Sequence, residues 1–275
     1  MTMAEFPVAF PPDFPEATAL IHLTQTGSTN DEARRLFAAR TEGDAPFVWI
    51  MTDRQVSGRG RMGRNWSSPE GNLMTSLMCK PSCDLATMGQ LGFVAGLAVQ
   101  ASIQEMTSLP AKLKWPNDVL IEGAKCAGIL LETLSDVSNL SNASKSAQEI
   151  GLAIGIGVNL QHHPTDTPYP AISLTGAAGV SPSPREMITV LARHFNRLYG
   201  LWMRDGFSGI RLLWLEQAYG VGEEITAVLT RERQTGTFKD IDAEGRLLLE
   251  KSDGSIHLIA AGDIFFGATK DLIND

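Results

Sequence analysis

The chain has 275 residues, 43% of them hydrophobic and 20% charged. That is enough for one large domain, or a large one with a small companion, built on a real apolar core. With 31 acidic against 23 basic side chains the formal net charge is -8, which argues against broad nucleic-acid binding, because phosphate neutralisation needs a basic face. Its three cysteines exclude a disulfide framework, and the C-x-x-x-C spacing of Cys79 and Cys83 is not a redox or zinc pair. Reduced thiols in a cytoplasmic protein are therefore expected.

In chain order, residues 1–19 form an N-terminal extension rich in Pro and Phe, either an extended surface arm or a partly disordered one. They lack the basic and uninterrupted apolar segments of a signal peptide, and no later window approaches the ~20 apolar residues of a membrane span. "LIHLTQT" at 20–26 reads as a short strand, followed by a helix in "STNDEARRLFAAR" whose Thr29 and Glu32 have capping-box spacing. "FVWIMTD" at 47–53 suits a buried strand, and "LMTSLM" alternates as another. Residues 89–106 have the length and composition of a helix. "AKLKWPNDVLIEGAKCAGILLETL" reads as strand, break at Pro116, strand, turn at Glu122-Gly123, strand. The Ser/Asn-rich 135–146 reads as a mobile hairpin tip, and "EIGLAIGIGVNL" as a buried strand rich in glycine. A helix begins at Ser183-Pro184 with Glu186 as its box partner and runs to about residue 205. After Gly220, short strands separated by turn residues read as a small β-barrel.

One stretch stands out against the acidic background. "SGRGRMGRNW" carries Arg59, Arg61 and Arg64 interleaved with Gly58, Gly60 and Gly63, directly after a strand. Glycine lets backbone approach a ligand closely, and arginine binds carboxylate or phosphate with a permanent, forked charge. Together they suggest a loop that closes over an anionic ligand and excludes water. "KWPND" displays Lys114, Asn117 and Asp118 around a proline break. "KCAGIL" sets Lys125 at the entry to an apolar strand, and "GIGVNL" ends a buried strand on Asn159, whose amide both donates and accepts. His162 and His163 read as a solvated loop pair.

Taken together, "GSTNDEA", "TDRQVSGRGRMGRNWSSPEGNL", "LKWPNDVLIEGAKCAGILLE" and "IGIGVNL" resemble the signature blocks of the biotin protein ligases. The match spans residues 20–159; the later helices and barrel fit the family's architecture without a sharp motif. The resemblance implies an α+β fold. A mixed sheet with helices would form a class II synthetase-like catalytic domain over 20–219, and an SH3-like β-barrel would occupy 220–275. It also implies a two-step reaction, in which biotin's carboxylate attacks the α-phosphate of ATP and a carrier lysine then attacks the resulting biotinyl-adenylate. By motif position, Ser28, Thr29, Asn30, Gln55, Arg59, Gly60, Arg61 and Lys125 would surround biotin. Arg64, Trp66, Lys114, Asn117 and Asn159 would bind ATP, with Trp66 against the adenine, Asn159 on the base, and Arg64 and Lys114 on the triphosphate.

Lys125, Arg61 and Asp118 would be catalytic. Asp118 would either position Mg²⁺ or orient the attacking lysine, and the metal ligands are otherwise unassigned. The partner implied is a biotin carboxyl carrier protein, such as an acetyl-CoA carboxylase subunit, and a sheet edge near 135–146 could pair either two copies into a homodimer or this chain with the carrier domain. Many members carry an N-terminal winged helix-turn-helix. The 27 Pro-rich residues before Ser28 cannot form one, so no nucleic-acid partner and no membrane are expected. Two rival readings are a lipoate or octanoate ligase of the same superfamily, whose K-x-x-G element "KCAG" satisfies, and a non-catalytic biotin-binding module.

Overall fold

Alternation of apolar side chains along the strands decides how the chain is layered. The computed structural model describes residues 8–41, 44–135, 150–167, 169–230 and 232–266. Val8–Ala9 (β1) pairs with Thr18–Thr26 (β2), which leads into Thr29–Ala38 (α1). Phe47–Gln55 (β3) lies parallel to β2, and Leu73–Cys79 (β4) returns antiparallel to β3. A short helix, Leu85–Met88 (α2), and Leu91–Thr107 (α3) lead to Ala111–Lys114 (β5), Asp118–Ile121 (β6) and Ala124–Ser135 (β7). Ile150–Val158 (β8) completes a mixed eight-stranded sheet of order β1-β2-β3-β4-β8-β7-β6-β5. The hairpin tip expected at 135–146 falls, beyond its first residue, outside the described residues.

Ala19, Ile21, Val48, Ile50, Met78 and Ala153 collect on one sheet face beneath Ala33, Leu36 and Phe37 of α1. Their neighbours Leu20, Trp49, Met51, Leu77 and Ile154 point the other way. After Leu174–Ala178 (α4), the helix Pro184–Asp205 (α5) packs with α3 against that second face. Because α3 lies between sheet and helices, it is apolar nearly all round. Contrary to the sequence expectation, residues 85–107 are long and apolar enough to cross a membrane by composition, but 67% of the apolar window is buried inside the fold.

The two expected capping boxes fare differently. At α5, the Ser183 hydroxyl accepts from Glu186 N and the Glu186 carboxylate accepts from Ser183 N at 2.8 Å, with Pro184 as the first helical residue. At α1, Thr29 is already helical, and extended Ser28 precedes it without a cap bond from its own side chain. Glu32 instead accepts a hydrogen bond from the Thr26 hydroxyl at 2.7 Å. A helix not anticipated from the sequence, Phe207–Gln217 (α6), buries Phe207, Ile210 and Trp214.

Glu224–Val228 (β9), Arg233–Ile241 (β10), Leu247–Glu250 (β11), Ile256–Ile259 (β12) and Asp263–Phe266 (β13) form a second, antiparallel sheet of order β12-β11-β10-β9-β13. A bulge between Phe238 and Asp240 bends β10, so its first half pairs with β9 and its second with β11. This sheet does not stand apart. Phe238, Leu247, Leu249 and Ile264 join the same apolar cluster as α3, and buried Trp115 donates to the Gly245 carbonyl at 3.0 Å. Gly245 has φ +82, and a Cβ there would lie 2.6 Å from the Phe93 ring. The shared core fixes β13 beside the mouth of a cavity in the large sheet.

Candidate active site

On the α1 side of the large sheet lies a cavity of about 410 Å³. All the residues placed at biotin, ATP or the catalytic centre by motif position line it. Ser28, Thr29, Asn30 and Gln55 stand at one end, Arg59, Gly60, Arg61, Arg64 and Trp66 come from the glycine-rich loop, and Lys114, Asn117, Asp118, Lys125 and Asn159 come from the strands.

The first end is neutral and polar. Ser28, Thr29 and Asn30 are each 4% exposed or less, so their polar groups need partners. Gln55 Oε1 accepts from Thr29 N at 2.9 Å, and Gln55 Nε2 donates to Ser68 Oγ at 3.1 Å. The Ser76 hydroxyl lies 2.7 Å from Thr29 Oγ1 and 2.5 Å from Asn30 Oδ1. These bonds are why Thr29 does not cap its helix.

Glycines in β8 open the space above the sheet. A Cβ at Gly155 would lie 2.7 Å from Asn30 Oδ1, and one at Gly157 would lie 2.5 Å from the Trp66 ring. Gly128 on the neighbouring strand is within 3.1 Å of the same ring by the same measure. The glycine richness of this strand is therefore a property of the site: it seats Asn30 and Trp66 directly on backbone.

The arginine loop is folded as a small hairpin. Trp66 N donates to Gly58 O at 3.0 Å, Gly60 N to Arg64 O at 2.7 Å, and the turn Arg61–Gly63 places Met62 and Gly63 at φ 57 and 71. Gly58 is required there, because a Cβ would lie 2.6 Å from both Gln55 Nε2 and Trp66 O. The three arginines have different partners. Arg59 grips Asp31 through two bonds of 2.9 and 2.6 Å, and reaches Glu132 at 3.1 Å. Asn30 also donates to Glu132, at 2.8 Å. The hydrogen bond from Arg59 holds the Asp31 carboxyl below its ordinary pKa, against the opposing effect of burial. Arg59 thus has its charge satisfied within the protein and pins the loop base to α1 and β7. Arg61 Nη1 donates to Asn117 Oδ1 at 3.2 Å and Gly262 O at 3.1 Å, while Arg64 pairs with Asp263 at 2.9 Å.

Lys125 lines the same cavity, with its ammonium 2.6 Å from Asp118 Oδ1 and 5.4 Å from the Trp66 ring centroid. Asp118 Oδ1 is buried, and its contact with Lys125 is an ion pair outside hydrogen-bond geometry. The backbone of Lys125 is held by the loop after β8, through Lys125 N to Pro170 O at 2.7 Å and Ile172 N to Lys125 O at 3.0 Å. Asn159, 2% exposed, staples this junction by donating to the carbonyls of Lys125 and Ile172. The same loop delivers Tyr169, whose ring lies 4.8 Å from the Lys114 ammonium and 5.2 Å from the ring of Phe265 of β13, itself 5.8 Å from that ammonium. Burial lowers the Lys114 pKa and pushes the Tyr169 hydroxyl up to about 12, so Tyr169 stays neutral.

Sequence reasoning missed Asp31, Glu132, Tyr169, Asp263 and Phe265. Asp31 and Glu132 lie inside the quoted blocks "GSTNDEA" and "LKWPNDVLIEGAKCAGILLE", but nothing local names their partner, since Glu132 is 73 residues from Arg59. Tyr169, Asp263 and Phe265 lie outside any motif, Asp263 being 199 residues from Arg64. Four cations, Arg61, Arg64, Lys114 and Lys125, against the three lining carboxylates Asp118, Asp166 and Asp263 leave the centre a positive balance. A neutral polar end, a cationic centre and an aromatic wall can together bring a small carboxylate up to a polyphosphate.

The chain matches the biotin/lipoate A/B protein ligase family over residues 24–144 and the biotin protein ligase C-terminal domain over 220–267. It is 37% identical over 252 residues to a biotin--[acetyl-CoA-carboxylase] ligase of Paracoccus denitrificans, covering 89% of this chain and 99% of that one. It is 36% identical over 223 residues to the bifunctional ligase/repressor BirA of Bacillus subtilis, covering 79% of this chain and 66% of that protein. A biotin protein ligase from Aquifex aeolicus in complex with biotin and ATP shares the fold with a TM-score of 0.73 at 27% identity, over 90% of this chain and 98% of that one. With its cavity, both of its sheets and these relatives in agreement, the chain belongs to the biotin protein ligase family.

Proposed function

We propose that this chain is an ATP-dependent biotin protein ligase. It joins the biotin carboxylate to the α-phosphate of ATP with release of pyrophosphate. It then passes the biotinyl group to a lysine of a biotin carboxyl carrier protein with release of AMP. The observation that carries this reading is the set of groups in one cavity: a neutral polar end, an aromatic wall at Trp66, and Lys125 with its ammonium 5.4 Å from that ring.

The neutral end, built from Ser28, Thr29, Asn30 and Gln55, suits the uncharged ureido ring of biotin, with Gly60 allowing close approach of the loop. The carboxylate then points at the centre. Two like unit charges 4 Å apart repel by about 4 kcal/mol at a protein-surface dielectric, so the approach of carboxylate to polyphosphate needs cations on both. Arg61 and Lys125 would bridge carboxylate and α-phosphate oxygens, stabilising charge as it builds at phosphorus. Arg64 and Lys114 would take the outer phosphates, and Asn117 fixes Arg61. Trp66 would pack on the adenine. The Asn159 amide N–H groups serve the backbone, so its oxygen is the atom left to meet the base. The loop hairpin, closed over the mixed anhydride, would keep water from it until the lysine arrives.

Mg²⁺ would enter with the nucleotide, neutralising phosphate charge. Asp118, whose buried Oδ1 has no hydrogen-bond donor, fits the one carboxylate such an ion takes from protein. Among the described residues no cluster of three His, Cys, Asp or Glu forms a resident metal site. Once the nucleotide has reacted, the same carboxylate is within reach to orient the carrier ammonium and accept its proton. Arg59 we assign to holding the loop base, so its contribution to biotin binding is indirect.

Two further points belong to this proposal. Among the described residues β7 has no partner beyond Ile129 on its β6 side, which leaves an edge for a homodimer. The three free thiols and the need for ATP suit the cytoplasm, and the acidic net charge disfavours nucleic acid as a partner. Incubation with ATP and either biotin or lipoate tests the function: pyrophosphate is released with biotin, whereas release with lipoate alone would overturn the reading.

A further inference from the structure

Strand β13 brings Asp263 to the cavity from the second sheet, with Phe265, two residues on and so on the same face, packed against Tyr169 and Lys114. Asp263 stands between the two arginines at the loop tip, 2.9 Å from Arg64 Nη2 and 3.5 Å from Arg61 Nη1. The carbonyl before it, on Gly262, takes Arg61 Nη1 as well, at 3.1 Å, and Arg64 Nε closes the arrangement on Arg61 O at 3.2 Å. By charge alone, a carboxylate here weakens a site for anions. By geometry it does the opposite. Arg61 and Arg64 flank a turn whose two central residues have positive φ, and their like charges repel. A common acceptor offsets that repulsion and holds Arg61 Nη1 and Arg64 Nη2 together on the cavity wall.

We propose that Asp263 is a positioning residue for nucleotide activation: acting through Arg61 and Arg64, it sets the two guanidiniums to receive the polyphosphate. This rests on reading the cavity as the ATP and biotin site. The second sheet thereby becomes part of the reaction centre.

The two effects of Asp263 differ in sign, and Asp263→Asn in the full chain separates them. Biotin-dependent exchange of pyrophosphate into ATP gives KM for each substrate and kcat. If charge dominated, removing the carboxylate would tighten ATP binding. Positioning predicts the reverse: KM for ATP rises about tenfold or more, the usual scale for a lost charge-assisted hydrogen bond, while KM for biotin stays within about twofold of the parent. Asp263→Glu, which keeps the carboxylate, recovers most of the loss. A fall or no change in KM for ATP in Asp263→Asn, an equal rise in both KM values, or no recovery in Asp263→Glu overturns the proposal.

If the parent chain exchanged no pyrophosphate, the reading of the cavity would fail, and the positioning claim would still be decided by amide hydrogen exchange. Asp263→Asn must speed exchange at residues 60–64 by about tenfold, and unchanged exchange there overturns it.

Discussion

Adding one methyl group at Gly155 or at Gly157 should separate the two halves of the cavity. A Cβ at Gly157 would lie 2.5 Å from Trp66, and one at Gly155 would lie 2.7 Å from Asn30 Oδ1. Ordinary contacts need about 3.5 to 4.0 Å, so each neighbour must retreat by roughly 1 Å. Trp66 is half-buried on a loop and can swing outward, so Gly157→Ala should cost less than about 1 kcal/mol of stability. What it loses is the surface for the base. Aromatic stacking is worth about 1 to 3 kcal/mol per base, which makes nucleotide binding about 5- to 150-fold weaker. Asn30 has no such freedom: it is 3% exposed and bonded to Ser76 and Glu132. Moving it breaks at least one bond, and a bond to a charged carboxylate is worth about 1.5 to 3 kcal/mol. Gly155→Ala should therefore weaken biotin binding about 10- to 150-fold and lower stability too. Titration calorimetry with biotin, and separately with a non-hydrolysable ATP analogue, reads both. The reasoning is refuted if Gly157→Ala weakens biotin as much as nucleotide, or if Gly155→Ala spares biotin.

Two more predictions follow from the charge and thiol environments. The Asp31 carboxyl, held by Arg59 below its ordinary 3.8, contributes stability that is complete above that value and is lost as pH falls through the lower folded value. An NMR titration of its carboxyl carbon should show a midpoint below 3.8 that returns towards 3.8 in Arg59→Met, and an unmoved midpoint would mean that Arg59 is not the pin. Burial pushes the Cys79 and Cys126 thiols up to about 12, whereas Cys83 is only half-buried. Iodoacetamide should label Cys83 alone in the native protein and all three after unfolding in urea, and early labelling of Cys126 would contradict its buried position.

What the sequence disclosed and what it withheld have a physical division. The arginine loop, the Lys114–Asp118 segment, Lys125 and Asn159 were legible because each is a short run whose chemistry is unusual within a few residues. The strands at 20–26 and 47–53 were likewise legible from their apolar and β-branched runs, and the Ser183 box marked the start of α5. Hidden were the groups that give those runs their partners. Asp263 meets Arg64 only because the second sheet shares a core with α3, and Glu132 meets Arg59 only across strand pairing. The same cause explains the misread cap at α1: Thr29 has capping-box spacing, but Gln55 and Ser76, brought in by β3 and β4, take its hydroxyl. Local pattern can propose a hydrogen bond, and a tertiary competitor decides it. For α3, the helix was legible at 89–106 from length and composition, and its nearly all-round apolar surface is explained by both of its sides being covered.

The role given to Lys125 is the centre of this account. Its most direct test is transfer of labelled biotin to a purified biotin carboxyl carrier domain, with ATP, by the full chain and by Lys125→Ala. The account predicts ATP-dependent covalent labelling of one carrier lysine by the parent. In Lys125→Ala, adenylate formation should fall by about 100-fold or more while biotin still binds. Labelling that survives the substitution, or a parent that transfers lipoate or octanoate in place of biotin, would contradict it.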